Sequence, residues 1–166
     1  MDKAESVGSA NLLYDAAMSQ GVVRMKGTLA VQVRADSVHA ELSGEFGAPI
    51  GRYDGVELTG EKIRSVRIAS RELRWLIAGI WAEGTPAVAG ASTDRVLLRW
   101  TDRGRAEGVL DEAAGALSSL RVERTEGDLE AVYGGARDPW PERIELREKR
   151  SGSALRLRLL AREPAS

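Results

Sequence analysis

The only histidine of the sequence, His39, is the first candidate for acid–base or nucleophilic chemistry. Glu41 and Ser43 follow it at alternating positions, so on a strand all three side chains share one face. A serine nucleophile needs a base, and the base needs a group that orients it. The same alternation puts the three residues on a polar face, where a solvated histidine is the better interpretation. We therefore expect His39→Ala to leave the function intact.

The other residue types that carry chemistry also argue against an enzyme. The sequence has no cysteine and a single histidine, which excludes thiol nucleophiles, disulfides and sites with several histidine ligands. Gly134-Gly135 lacks the strand, glycine turn and helix start of a phosphate-binding loop. The carboxylates alternate with apolar residues beside arginines, which indicates outer strand faces rather than a paired glycosidase site; they include Glu41, Glu45, Glu57, Asp102, Glu107, Asp111 and Glu145. We expect no catalytic residue, no metal site and no cofactor.

Length and charge narrow the class of protein further. The 166 residues favour one domain, with residues 1–10 as a flexible segment and 11–166 folded. Lys and Arg number 24 against 25 Asp and Glu, which argues against a nucleic-acid partner held by phosphate neutralisation. No stretch approaches the roughly 18 consecutive apolar residues of a membrane helix, and no secretory signal follows Met1.

Alternation of polar and apolar residues, typical of half-buried strands, dominates the chain. It predicts a hairpin of segments 25–34 and 38–46. Two helices are predicted, Asn11–Met18 from its apolar spacing and Ser70–Trp81 with Ser70 as its N-cap. Residues 83–94 are predicted to form a loop. Further strands are predicted at 54–59, 62–68, 95–101, 105–110, 119–124, 128–133, 142–148 and 154–161, and a helical turn is an alternative at 113–117.

These segments amount to about ten strands and two helices without βαβ alternation, which indicates a mostly β fold. We expect a strongly curved antiparallel sheet with the helices on its concave side. Two apolar features have open interpretations. Ile50, in the segment Ala48–Gly51, either folds back onto the core or forms an exposed tip that enters a bilayer or a partner. The tryptophans either line a ligand cavity or fill a core; they are Trp75, Trp81, Trp100 and Trp140.

Short motifs follow one another along the chain at 26–31 (KGTLAV), 46–51 (FGAPIG), 70–79 (SRELRWLIAG), 131–135 (AVYGG) and 140–146 (WPERIEL). In this order they resemble the LolB family of outer-membrane lipoprotein receptors and the related LolA carriers. The segment 26–31 (KGTLAV) is similar to the family's basic, glycine and apolar opening, and 46–51 (FGAPIG) to its Asn-Pro-Leu-Gly loop. The segment 70–79 (SRELRWLIAG) resembles its Leu-Arg-x-Trp-Ile-Leu-Gly helix. The segments 131–135 (AVYGG) and 140–146 (WPERIEL) resemble its Val-Tyr-Gly-Gly segment and the strand after it. The matches cover most of residues 12–163.

The resemblance implies an incomplete, strongly curved antiparallel β-barrel that encloses an apolar cavity and is closed by short helices. It implies binding of the acyl chains of lipoproteins and a part in their delivery to, or insertion into, the bacterial outer membrane. The partners would be acylated lipoproteins, a LolA-like periplasmic carrier and the outer-membrane lipid surface, and the protein would be a monomer. Its place would be the periplasmic face of the outer membrane, although a chain without cysteine offers no site for a lipid anchor.

Two groups of site residues follow from the resemblance. The membrane-insertion loop would be Pro49, Ile50 and Gly51, with Ile50 at the position of the protruding apolar residue. The acyl-chain cavity would be lined by inward-facing apolar residues of the strands and the helix: Leu29, Val31, Val33, Leu42, Phe46, Leu73, Trp75, Leu76, Ile77, Val96, Leu98, Trp100, Leu129, Leu155, Leu157 and Leu159.

Three other functions remain as alternatives. The protein is a soluble periplasmic LolA-like carrier, or a binder of another lipid, if its role ends with transport. It is a structural module of an envelope complex if the curved sheet docks a protein partner, in which case the interior should be solidly packed. An enzyme is the least favoured class, because His39 has no evident partners.

Overall fold

In the computed structural model of the protein, which describes residues 8–102 and 105–165, thirteen strands form one antiparallel sheet. One α-helix, α1 (Ser70–Ala78), and a short 3-10 turn (Glu45–Gly47) complete the described elements. The strands are β1 (Ala10–Gln20), β2 (Val23–Val33), β3 (Val38–Ser43), β4 (Pro49–Tyr53), β5 (Glu57–Thr59), β6 (Val66–Arg67), β7 (Ala87–Ala91), β8 (Arg95–Trp100), β9 (Arg105–Asp111), β10 (Ala116–Glu123), β11 (Leu129–Arg137), β12 (Pro141–Glu148) and β13 (Ser153–Pro164).

The order of the strands explains how the chain encloses space. The order is β6-β5-β4-β3-β2-β1-β13-β12-β11-β10-β9-β8-β7, so the first and last strands pair at the centre. The chain runs outward to the edge strand β6, continues through α1 to the opposite edge strand β7, and returns strand by strand. Within the described residues, β6 and β7 each pair on one side only, so the sheet is not closed. The predicted fold class, a mostly β, incomplete antiparallel barrel, is confirmed.

Strand β1 corrects the prediction of a helix over Asn11–Met18. Burial alternates along the strand, with Leu12, Tyr14, Ala16 and Met18 all buried. The strand pairs with β2 along its whole length and with β13 on its other side. Alanine, leucine and methionine favour helices, but this preference is weak and pairing on both sides outweighs it. The strand also begins at Ala10, inside the segment 1–10 predicted to be flexible, of which residues 1–7 lie outside the described residues.

Helix α1 begins where the sequence predicts but ends three residues earlier. Gly79 adopts a left-handed conformation (φ 72°), and its N–H bonds the Leu76 carbonyl, which terminates the helix before Trp81. The N-cap is Ala69 rather than Ser70. The Ser70 hydroxyl instead donates to the Gly55 carbonyl at 2.6 Å, so this side chain fastens the helix to the β4–β5 turn. No helix in the described part of the chain is long and apolar enough to cross a membrane.

Two further segments differ from the sequence prediction. Residues 83–94, predicted to be a loop, contain β7, an edge strand of small residues with both faces exposed. A strand without a buried face shows no apolar alternation, which is why the pattern missed it. Residues 113–117 form a hairpin turn and the start of β10 instead of a helical turn, since Asp111 and Gly115 close that turn by a backbone hydrogen bond.

Candidate functional site

An apolar cavity of about 90 Å³ lies between α1 and the sheet. Its wall is formed by side chains from β1–β6, α1 and β11–β13. Nearly all of them are aliphatic or aromatic, and the polar residues are confined to the ends of β11–β13. The lining comprises Met18, Leu29, Val31, Ala40, Leu42, Tyr53, Leu58, Val66, Ile68, Leu73, Leu76, Ile77, Leu129, Glu130, Leu146, Arg147, Glu148, Ser153, Leu155 and Leu157.

More than half of the predicted lining residues meet at this cavity. They come from the alternating faces of β2, β3 and β13, from the inward face of α1 and from the start of β11. Because each of these strands has one buried and one exposed face, the sequence pattern was sufficient to identify their inward residues. The residues brought together are Leu29, Val31, Leu42, Leu73, Leu76, Ile77, Leu129, Leu155 and Leu157.

The other predicted lining residues lie elsewhere. Val33 is completely buried in the core at the far end of β2, and Val96, Leu98 and Leu159 are partly buried outside the cavity wall. Phe46 is fully exposed on the 3-10 turn. The prediction that these five residues line the cavity is wrong. Val96 and Leu98 belong to β8, which does not reach the cavity, and the other three lie farther along β2 and β13 or on the turn, beyond the space beneath α1.

The tryptophans fill the core and do not line the cavity. Trp100 and Trp140 are buried among the strands of the β8–β12 half of the sheet. Trp75 is also buried, and its ring meets that of Trp81 edge to face, with centroids 4.8 Å apart. The placement of Trp75 and Trp100 in the cavity wall is therefore wrong. Trp100 and Trp140 thus contribute to the core rather than to the wall of the cavity.

Several lining residues were not identified from the sequence. Met18 was assigned to a helix, so its inward direction on β1 was missed. Ala40 and Leu146 follow the alternation of β3 and β12 and were recoverable from it. Tyr53 and Ile68 lie on short elements around α1, and the Tyr53 hydroxyl donates to the Ile68 carbonyl. Burial raises the pKa of Tyr53 to about 12, so this hydroxyl stays protonated at neutral pH.

A buried polar cluster closes one end of the cavity. Gln20, only 2% exposed, accepts from the Arg64 backbone N–H (2.7 Å) and donates to the Arg64 carbonyl (2.8 Å) and the Ser153 hydroxyl (2.8 Å). Segment 60–65, which joins β5 to β6, is thereby held against the end of β1. Its Ile63 side chain is buried in the core. We call this segment the strap.

Glu148 belongs to the same cluster and is stabilised as a carboxylate. Burial acts to raise the pKa of Glu148. Hydrogen bonds from the Ser151 hydroxyl and from the backbone N–H groups of Ser151 (2.8 Å) and Arg150 (3.0 Å) act in the opposite direction. They outweigh burial and hold the pKa of Glu148 below its ordinary value. The carboxylate thus organises the β12–β13 turn.

Hydrogen bonds fasten both ends of α1 over the cavity. Tyr133 donates from its buried hydroxyl to the Leu76 carbonyl at 2.6 Å, and Arg137 donates to the Gly79 carbonyl at 3.3 Å. At the other end of the helix, Ser70 bonds Gly55, and Arg74 donates to the Ala35 carbonyl at 3.0 Å. Most of the contact between α1 and the sheet is apolar, so the helix covers the cavity chiefly through its buried face.

The predicted insertion loop is not a loop in the structure. Pro49, Ile50 and Gly51 form the start of β4. The Ile50 side chain is partly buried and packs against the core, close to Gly44, so the prediction that Ile50 projects is wrong. The projecting residue is Phe46, which is 103% exposed on the preceding turn and adopts a left-handed conformation (φ 61°).

The residues considered for catalysis lie outside the wall of the cavity. His39 is exposed on β3, opposite Gln32 of β2, and shares its face with Glu41 as the alternation predicts. This face is the reverse of the one that bears Ala40 and Leu42 of the cavity wall. In the described part of the chain, no group of three or more acidic or histidine side chains is arranged to hold a metal ion.

Comparisons with known proteins agree with the architecture. No family model and no curated protein sequence matches this chain. Among solved structures, a DUF1329 family protein from Desulfovibrio piger superposes with a TM-score of 0.57 at 7% identity, over 98% of this chain and 88% of that one. An outer membrane lipoprotein-sorting protein domain from Vibrio parahaemolyticus superposes with a TM-score of 0.44 at 10% identity, over 94% and 85%. The first of these likenesses supports the fold of the open sheet.

Proposed function

We propose that the protein binds the acyl chains of lipoproteins beneath α1 and takes part in their delivery to the outer membrane. The observation that carries the proposal is the apolar cavity between α1 and the sheet, whose wall is almost entirely aliphatic and aromatic. The transfer of one methylene group from water to such a site is favourable by about 0.8 kcal/mol. An acyl chain therefore binds wherever enough dry surface becomes available.

Binding a whole acyl chain requires the cavity to enlarge. At about 90 Å³ the cavity is much smaller than the roughly 300–1,000 Å³ of typical ligand pockets, so it has room for only part of an acyl chain. In the proposal, α1 moves away from the sheet, because the inner face of the helix rests on apolar side chains. An acyl chain would replace those apolar contacts with equivalent ones, so the exchange costs little.

The proposed transfer involves no covalent step. We place the protein at the periplasmic face of the outer membrane as a monomer that receives acylated lipoproteins from a LolA-like carrier. Delivery then needs contact with the lipid surface, for which Phe46 is the suitable residue, since the whole ring is exposed. A soluble carrier would use the same cavity but would not need a membrane contact. A protein-docking module would need neither.

Saturable binding of an apolar fluorescent dye, displaced by an acylated peptide, tests the proposal. We expect one dye site, competition by the acylated peptide, and no competition by the same peptide without acyl chains. The paired variants are Leu76→Asp, which places a carboxylate in the cavity wall, and Val88→Asp, which places the same carboxylate on the exposed strand β7. Only the first should abolish dye binding. Equal binding by both variants would contradict the proposal.

A further inference from the structure

We infer that one rim of the barrel docks onto anionic phospholipid bilayers through two apolar tips and the cations between them. The tips are the β1–β2 turn (Gly21–Val22) and the 3-10 turn with Phe46. The strap lies between them and supplies part of the charge. We call this surface the docking rim. The inference rests on the proposed function and adds to it the chemistry of the membrane that the protein recognises.

The apolar evidence is the exposure of the two tips. Val22 is 97% exposed, Val23 next to it is 39% exposed, and Phe46 is 103% exposed. Large apolar side chains at turns, where polar residues are the rule, have no partner within the protein. Phe46 also adopts a left-handed conformation (φ 61°), which glycine tolerates but a large side chain does not favour. This conformation turns the ring away from the sheet.

The strap brings the two tips into one surface. Thr28 of β2 lies opposite Ser43 of β3, so the start of β2 and the end of β3 point to the same end of the barrel. Backbone at Gly60 packs closely on the Ile50 carbonyl, beside the 3-10 turn. Four residues later, the Arg64 guanidinium lies against Gly21 of the other tip. The Cα atoms of Gly60 and Arg64 lie at most about 14 Å apart, because four residues separate them, and the strap thus runs from the start of β4 to the β1–β2 turn.

The charge of the docking rim favours an anionic surface. Arg24, Lys26, Lys62 and Arg64 are exposed, and none of them forms an ion pair with another residue in the part of the chain that the structure describes. The carboxylates of the same three segments are those of Glu45 and Glu61. The cations flank the tips on β2 and on the strap.

Apolar tips surrounded by unpaired cations suit the interface of a bilayer that contains anionic lipids. The Phe46 ring and the Val22 side chain enter the boundary of the acyl chains, while the basic groups remain among the lipid phosphates. Each such cation increases binding to an anionic surface by about fivefold, and salt screens the effect. A protein partner with an acidic surface would use the same cations but would not need two separate exposed apolar tips.

Vesicle flotation tests the inference on the full chain. Wild-type protein should float with vesicles of phosphatidylcholine and phosphatidylglycerol, and added salt should weaken this binding. It should bind pure phosphatidylcholine at least tenfold more weakly. Val22→Glu and Phe46→Glu should each reduce binding to the anionic vesicles about tenfold or more. The control Val88→Glu makes the same change at a valine that is 67% exposed on the edge strand β7, and it should bind as the wild type does.

Dye binding to the cavity separates the two proposals. Val22→Glu and Phe46→Glu should keep the wild-type melting temperature and dye affinity, because both side chains are outside the core. The inference is overturned if these variants float like the wild type, or if wild-type protein binds pure phosphatidylcholine equally well. If the wild type floats as expected but binds no dye, the cavity proposal fails while the docking rim stands as a membrane-binding surface.

Discussion

Replacing Ala40 by leucine should stabilise the protein and abolish ligand binding at the same time. Ala40 lies on β3, is 7% exposed, and its side chain forms part of the cavity wall. A larger aliphatic residue at this position extends into the empty space. A change in an ordinary well-packed core would have the opposite effect on stability, because overpacking there strains its neighbours.

The magnitude follows from the cavity volume. An unfilled cavity costs about 24 cal/mol for each Å³, so about 90 Å³ corresponds to roughly 2 kcal/mol. Fixing the leucine side chain in one rotamer costs about 0.5–1 kcal/mol, which reduces this gain in stability. We expect a net increase of about 1–1.5 kcal/mol in the free energy of unfolding. The melting temperature of a chain of this size should rise by about 2–4 °C for each kcal/mol.

Thermal unfolding and dye titration together measure both effects. The matched control is Ala106→Leu, which makes the same change at a buried position (2% exposed) of β9, outside the cavity wall. It should destabilise the protein by about 1–3 kcal/mol and leave dye affinity unchanged. A lower melting temperature for Ala40→Leu would refute the presence of free space beside this residue. A higher melting temperature with unchanged dye affinity would refute the cavity as the binding site.

Three further predictions concern buried groups. Tyr133→Phe removes the hydrogen bond to α1 and should lower the free energy of unfolding, measured by denaturant titration, by about 1 kcal/mol. Tyr14→Phe removes a buried hydroxyl without a hydrogen-bond partner in the described structure, and it should raise the free energy of unfolding or leave it unchanged. The pKa of Glu148 is lower in the folded protein than its ordinary value of 4.5. The stabilising effect of its carboxylate is therefore complete above pH 4.5 and is lost as the pH falls through the folded-state pKa. Glu148→Gln should flatten the pH dependence of the free energy of unfolding between these two pH values, and an unchanged profile would contradict this role. Ile50→Glu should lower the free energy of unfolding by about 2–3 kcal/mol in the same titrations, since it buries a carboxylate against the core; wild-type stability would show that this side chain is free in solution.

The sequence predicts the parts of the fold in which a strand has one buried and one exposed face. The hairpin of β2 and β3 is the clearest example, and Leu29, Val31 and Leu42 of the cavity wall follow from its alternation. The inward face of α1 follows in the same way from its helical spacing. In these elements the local pattern and the tertiary environment require the same residues.

The pattern fails where tertiary contacts decide the structure. Strand β1 has the composition of a helix, and only its pairing with both β2 and β13 makes it extended. The segment from Phe46 to Ile50 contains two large apolar residues, and the local sequence does not show which of them projects. The register of β4 against β3 settles this, because it places Ile50 against Gly44 and the core and leaves Phe46 on the turn.

Native mass spectrometry with a lipopeptide tests the central claim most directly. The protein is mixed with a triacylated peptide, or with the same peptide without acyl chains, and the masses of the complexes are recorded. We predict a one-to-one complex with the acylated peptide only, which is lost in Ala40→Leu and kept in Ala106→Leu. Equal binding of both peptides, or no complex with either, would contradict the proposal that the space beneath α1 receives acyl chains.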